Sequence, residues 1–224
     1  MADLIRIEEL CVERDGRPVL TGVSLTLRDR ERLAILGANG AGKTTLLRAI
    51  VGLEMITSGC VTLFGETCRQ EREFRPYRPR IGFLFQDSDD QLFCPIVIED
   101  VAFGPLNTGC SQTEAEARAR AALASLGITH LAERATHRLS GGEKRLVCLA
   151  GLLAMGPDVL LLDEPTNGVD HSNGALLDAA LHTFDGAMIL VSHNESFVSR
   201  MGTRAAILDQ GKLTTSDIYD HAHS

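Results

Sequence analysis

The chain has no tryptophan and only two tyrosines, Tyr77 and Tyr219. No apolar run approaches the roughly 20 residues that a membrane-spanning helix needs. The longest, such as Val159 to Leu162, are of strand length. The opening Met-Ala-Asp-Leu-Ile-Arg lacks the apolar core of a secretory signal. None of the six cysteines (Cys11, Cys60, Cys68, Cys94, Cys110, Cys148) forms a C-x-x-C pair. Most lie in or beside apolar runs, where cysteine behaves as a small buried hydrophobe. That usage fits a reducing, cytosolic compartment. A basic excess is also missing: 22 Lys and Arg stand against 30 Asp and Glu, for a net charge of −8. This argues against a nucleic-acid partner, which requires a basic footprint. With 44% hydrophobic residues over 224 positions, the chain is an ordinary globular one. It is long enough to bury a substantial core as one large domain or two small ones.

What is present is organised around Leu33-Ala34-Ile35-Leu36-Gly37-Ala38-Asn39-Gly40-Ala41-Gly42-Lys43-Thr44-Thr45. An apolar strand stops at a glycine, passes through small residues and restarts with helical character at Thr44. Gly37, Gly42, Lys43 and Thr44 fit the strand–GxxxxGK[ST]–helix pattern of a phosphate-binding loop. Gly37, Gly40 and Gly42 let backbone amides turn inward and approach a phosphate without an intervening Cβ. Those amides and the helix N-terminus make an anion site. Lys43 supplies a point charge to the β- and γ-phosphates, and the Thr44 hydroxyl is placed to ligate Mg²⁺.

Around that loop, residues 4 to 13 alternate weakly and read as an edge strand. Asp15-Gly16 is a hairpin signal, and Val23 to Leu27 alternates as a half-exposed strand. Val61 to Phe64 and Ile81 to Phe85 read as strands, the second ending at Gln86. Asp87 to Phe93 is acidic and carries caps for a short helix. Helices are expected near 98–103, from Ser111 or Thr113 to Leu126 with Gly127 as its C-cap, from Leu139 to Met155, and from about Asn173 to Phe184. Strands are expected over Val159–Leu162, Met188–Ser192 and Arg204–Leu208, followed by a polar tail. Buried strands alternating with helices after residue 33 imply an α/β fold with a mostly parallel sheet.

Val159-Leu160-Leu161-Leu162 pins Asp163 and Glu164 at the carboxyl end of a buried strand, where ligands bind in open α/β sheets. Asp163 would hold Mg²⁺ and Glu164 would act as the general base on the attacking water. Leu139-Ser140-Gly141-Gly142-Glu143 lies between the phosphate loop and Asp163 and resembles the signature motif of ABC ATPases. Gln86 is similarly placed to that family's Q-loop glutamine, Val169-Asp170 to its D-loop, and His193 after Val191-Ser192 to its switch histidine. The resemblance covers about residues 4 to 212. It implies a single nucleotide-binding domain, with a RecA-like core and β region over about 1–86 and 157–212. A helical subdomain is implied at about 87–156 and a short polar tail at 213–224. It also implies MgATP hydrolysis by a head-to-tail dimer, in which Ser140, Gly141 and Gly142 of one subunit close on the γ-phosphate held by the other. His193 would contact that phosphate and the attacking water, and Gln86 would ligate Mg²⁺.

The aromatic ring that this family uses to stack on adenine is missing, because Val12-Glu13-Arg14 stands there. Two readings of Arg14 remain: a guanidinium platform for the base, or a solvated turn residue. The segment Phe85-Gln86-Asp87-Ser88-Asp89-Asp90-Gln91-Leu92-Phe93 resembles the ATPases of energy-coupling-factor importers of vitamins, nickel or cobalt. On that resemblance, Asp87, Asp89, Asp90, Leu92 and Phe93 would meet arginine-bearing coupling helices of a transmembrane subunit, which works with a substrate-binding membrane subunit. The protein would then sit peripherally on the cytoplasmic face of the membrane. His221-Ala222-His223 tilts the cargo toward nickel or cobalt. ABC domains acting on DNA or ribosomes, and P-loop kinases, remain as other classes. Neither a long coiled-coil insertion nor a second copy of the domain is present, and a kinase leaves Ser140-Gly141-Gly142 unexplained.

Overall fold

The computed structural model describes residues 3–87 and 91–216. The chain opens with strands β1 (Asp3–Arg14), β2 (Arg17–Arg28) and β3 (Arg32–Leu36), then helix α1 (Lys43–Ile50), β4 (Ser58–Leu63) and β5 (Glu66–Cys68). Helix α2 (Glu71–Phe74) leads to β6 (Ile81–Leu84), and three longer helices follow: α3 (Val97–Asn107), α4 (Gln112–Ser125) and α5 (Gly141–Ala154). The rest alternates as β7 (Val159–Asp163), α6 (His171–Thr183), β8 (Ala187–Val191), α7 (Glu195–Met201), β9 (Arg204–Asp209) and β10 (Lys212–Ser216).

β1 and β2 form a hairpin in which Arg14 faces Arg17. Asp15 and Gly16 turn it with φ of 50° and 70°. Both central residues in the left-handed region make the tight turn that matches strand twist. The antiparallel sheet runs β2-β1-β4-β5. β1 is therefore not the edge strand its weak alternation suggests. Ile7 pairs with Leu25 on one side and Val61 on the other. The alternation is weak for a different reason. The register shifts between Ile7 and Leu10, Glu9 has φ of 48°, and Glu8 and Glu9 both point to solvent. Such a bulge inserts one residue and resets the period of two.

The second sheet runs β10-β9-β3-β8-β7-β6. The five strands from β9 to β6 are parallel, as the alternating pattern predicts. The start of the expected polar tail is instead β10, antiparallel to β9, with Leu213 opposite Leu208. Its composition is polar because it lies at the outer edge of the sheet. β7 and β8 are buried at every position, as expected for parallel strands covered on both faces. Leu160 and Leu162 of β7 face a core built with α3, α4, α5 and α6. Val159 and Leu161 face the other core, shared with α1 and the antiparallel sheet.

Caps set the helix starts. Ser111 and Glu114 form a reciprocal capping box on α4, and Gly127 (φ 70°) follows its end. Asp170 caps α6 by accepting from the Ser172 and Asn173 amides at 3.0 Å each, from the Ser172 hydroxyl at 2.6 Å and from Asn173 Nδ2 at 2.6 Å. The Ser172 hydroxyl bond, followed by those from Asn173, holds the Asp170 carboxyl down at about 2 instead of 3.8. A depressed carboxyl stabilises the fold above its unfolded value and loses that contribution as pH falls through the folded one. In thermal melts, wild type should exceed Asp170→Asn by a constant margin at neutral pH. That margin should shrink as pH drops from about 4 toward 2. A pH-independent margin would show that the ionised carboxylate is not what caps α6.

Candidate nucleotide site

The carboxyl ends of β3, β6, β7 and β8 open onto one cavity. From β3, the loop 37–42 enters α1. A Cβ on Gly37 (φ 146°) would lie 2.2 Å from the carbonyl oxygen of Leu208 in β9, so no other residue fits there. Gly42 (φ 103°) starts α1 without any side-chain cap, and the first turn carries no acidic residue. The first-turn amides therefore face the cavity as an anion site. Lys43 is buried and donates from Nζ to the carbonyls of Gly37 at 2.7 Å and Ala38 at 2.9 Å. An ammonium has three donors, so this bracing leaves one for a ligand. Asn39, Gly40, Thr44 and Thr45 line the cavity, while Ala41 packs against the core below.

β7 delivers the carboxylates. Asp163 is 1% exposed, and its Oδ2 has no hydrogen-bond partner among the described residues. Burial pushes the Asp163 carboxyl up, and the hydrogen bond from the Thr44 hydroxyl pulls it back. A buried acceptor without a donor is costly in an apolar setting. It fits a cation held by few protein groups and by substrate phosphates, as Mg²⁺ is. Thr44, Gln86 and Asp163 share the lining there. Next in the chain, Glu164 has φ of 48° and is largely buried. Its amide donates to the Val191 carbonyl at 2.8 Å. Its Oε2 accepts from the His193 amide at 3.3 Å and lies 2.9 Å from His193 Nδ1. The His193 ring is otherwise open, with its side chain 68% exposed. The structure thus brings Lys43, Thr44, Gln86, Asp163, Glu164 and His193 around one cavity.

Arg14 lies at the same cavity beside Val19. Its guanidinium is ion-paired to Glu54, with Nε 3.2 Å from Oε1 and Nη2 on Oε2. The half-exposed guanidinium is held in one orientation by that carboxylate.

The signature residues do not line this cavity among the described residues. Ser140 caps α5, accepting from the Glu143 amide at 3.2 Å, while the Glu143 carboxylate accepts from the Ser140 amide at 2.8 Å. That bond holds the Glu143 carboxyl below its ordinary range, helped by Arg134 at 2.8 Å. Leu139 is buried in the helical core, and Gly141 is exposed. Gly142 packs on the start of α6: a Cβ there would meet Asn173 Nδ2 at 2.7 Å and Asp170 Oδ2 at 3.1 Å. Asp170 points at α6 rather than into the cavity.

The segment after Gln86 differs in part from expectation. Asp89 and Asp90, like His221 and His223, lie outside the described residues. The expected short helix does not extend to either flank, since Asp87 and Gln91 are non-helical and α3 starts at Val97. Leu92 is half-buried and packs against the helical core. Phe93 is 75% exposed and borders a groove with Phe103, Gly104, Leu152 and Met155. Gln91 explains the packing of Leu92. Its side-chain amide accepts from the Phe85 amide and donates to the Phe83 carbonyl, both at 2.9 Å, and so draws the segment onto β6.

Three structural residues escape sequence reasoning: Glu54, Gln91 and Arg145. Arg145 is 1% exposed and donates to carbonyls at the ends of β6 and β7. Its signal was a cation three residues after Gly142 and four before Leu149, on the inward stripe of α5.

Comparison with known proteins gives the family. The family model described as ABC transporter matches residues 20–167. A protein of Brucella suis biovar 1 (strain 1330), named as an ABC transporter ATP-binding protein, is 52% identical over 222 residues, 99% of this chain and 92% of its own length. The cobalt import ATP-binding protein CbiO of Rhodobacter capsulatus is 44% identical, covering 88% of this chain and 72% of its own. Among solved structures, cbiO1 of Clostridium perfringens, part of the ABC transporter complex cbiONQ, superposes with a TM-score of 0.86 at 32% identity, over 97% of this chain and 90% of that one. No helix of the described residues is long and apolar enough to cross a membrane. The chain belongs to the ABC transporter family and is its ATP-binding domain, an ATPase subunit of a transporter.

Proposed function

We propose that this ATPase works as a head-to-tail dimer and powers an importer of the energy-coupling-factor type, carrying nickel or cobalt ions. The pairing of Glu164 with His193 beside the buried, unsatisfied Asp163 carries the catalytic part of this reading. The likeness to a cobalt importer's ATPase supports the cargo. A vitamin importer of the same type is the second reading, favoured by the same segment around Gln86.

In the proposed reaction the loop amides of 37–45 and Lys43 neutralise the triphosphate. Thr44, Asp163 and Gln86 would hold Mg²⁺, which would supply neutralisation of phosphate charge. Glu164 accepts the proton of the attacking water, whose oxygen bonds to the γ-phosphorus as the bond to the β–γ bridging oxygen breaks and ADP leaves. His193 keeps the Glu164 carboxylate aimed through Nδ1 and leaves its exposed edge for the γ-phosphate. The backbone amides at Gly141 and Gly142, with Ser140 and Glu143 shaping the helix start behind Leu139, meet the phosphate of the second subunit. Asp170, packed against Gly142, ties the two subunits' sites together. Arg14 lends its braced plane to the base.

The proposed membrane partners are a transmembrane coupling subunit, met by Asp87, Asp89, Asp90, Leu92 and Phe93, with Phe93 at the groove it shares with Phe103 and Met155, and a substrate-binding membrane subunit. The ATPase then sits peripherally on the cytoplasmic face. No nucleic acid is involved in this reading.

Glu164→Gln should retain MgATP binding, accumulate as an ATP-trapped dimer on gel filtration and lose turnover. Normal steady-state hydrolysis by that variant would refute the base assignment. Arg14→Ala should raise the ATP Kd about two- to fivefold, as expected for an exposed cation–π contact. Unchanged affinity would remove Arg14 from the site. Cells carrying the intact transporter should take up radiolabelled nickel or cobalt in an ATPase-dependent way. Uptake of a vitamin instead would favour the second reading.

A further inference from the structure

We infer that Arg145 is a positioning residue for hydrolysis: its buried guanidinium ties the turn that carries Glu164 to the strand end that carries Gln86. The inference rests on Glu164 being the general base.

Among the described residues, Arg145 is the largest side chain buried below 2% exposure. It projects from α5 one turn beyond the signature residues. Nη2 donates to the carbonyls of Asp163 and Glu164 at 2.7 Å each, and Nε to Pro165 at 3.1 Å. Nη1 donates to Gln86 at 3.1 Å and to Phe85. These carbonyls end two neighbouring parallel strands, where Leu84 lies beside Leu162. One side chain thus spans both strand ends and the helix that starts at Ser140.

The fork serves a particular need. Glu164 sits in the left-handed region at φ 48° without being glycine, a conformation that surrounding structure must impose. Arg145 binds the carbonyl before this residue, its own carbonyl and the one after it. That fixes the peptide planes on both sides of the Glu164 Cα, and so the direction of the carboxylate toward His193. Five N–H donors in one rigid plane suit several carbonyls at fixed spacing. A lysine brings equal charge without that geometry. A side chain serving only to fill the core would have no reason to be an arginine, because burying a charge is unfavourable unless it is hydrogen-bonded.

The alternative is a purely structural arginine, which would alter stability and folded fraction but not catalysis. The full-length chain is tested as Arg145→Lys and Arg145→Gln. Nucleotide affinity is read with a fluorescent ATP analogue and turnover at saturating MgATP. Both variants should lower kcat by about tenfold or more while nucleotide Kd shifts less than about threefold, a loss confined to the transition state. Arg145→Lys is then combined with Glu164→Gln and slow single-turnover hydrolysis is followed. The added loss should be less than about twofold, because the group that Arg145 aims is already gone. Retained kcat, a fall in kcat matched by the loss of binding-competent protein, or a full multiplication of the two penalties would each overturn the inference. Loss of nucleotide binding in both variants would make Arg145 a folding element and overturn it too. Failure of the base reading is seen separately, as normal steady-state turnover by Glu164→Gln alone.

Discussion

β7 is buried on both faces between β6 and β8, and the site depends on that constraint. Because Val159 to Leu162 are all committed to the two cores, the two carboxylates that follow can sit only at the carboxyl edge of the sheet. The phosphate loop arrives at the same edge from β3, and His193 arrives from β8. A parallel sheet brings these ends together without long excursions, since every strand presents the same end to the same side.

The chain is acidic overall, yet its local charges are arranged with care. Lys43 is braced by two carbonyls and Arg145 by the strand ends. Asp170 is saturated with donors, whereas Asp163 retains a buried oxygen with none among the described residues. Satisfied polar groups here set geometry, and the unsatisfied one marks where an ion belongs. Gly142 links the two ends of this logic. It lets the start of α5 approach Asp170 and Asn173 more closely than any side chain would permit.

Much of this was legible in the sequence, because local rules and global fold agree. Asp15-Gly16 announced its hairpin, Ser111 and Ser140 announced their helices, and the order from Gly37 to His193 announced the site. The misreadings have identifiable causes. A bulge at Glu9 blurred the alternation of a central strand and made it look like an edge. β10 escaped notice because an edge strand can be polar on every exposed face. That Leu92 is half-buried was not legible because nothing local reveals that Gln91 bonds to β6. Arg145 and Glu54 matter through backbone carbonyls and a cross-loop pair. Such partners are distant in sequence and leave no pattern of their own.

Gln91 also covers part of a sheet edge. β6 ends the parallel sheet, so its outer side presents unpaired backbone groups that could recruit a strand from another chain. By accepting from the Phe85 amide and donating to the Phe83 carbonyl, the Gln91 amide imitates one residue of a neighbouring strand. One side chain thereby occupies two backbone groups to which a seventh strand of this sheet would pair.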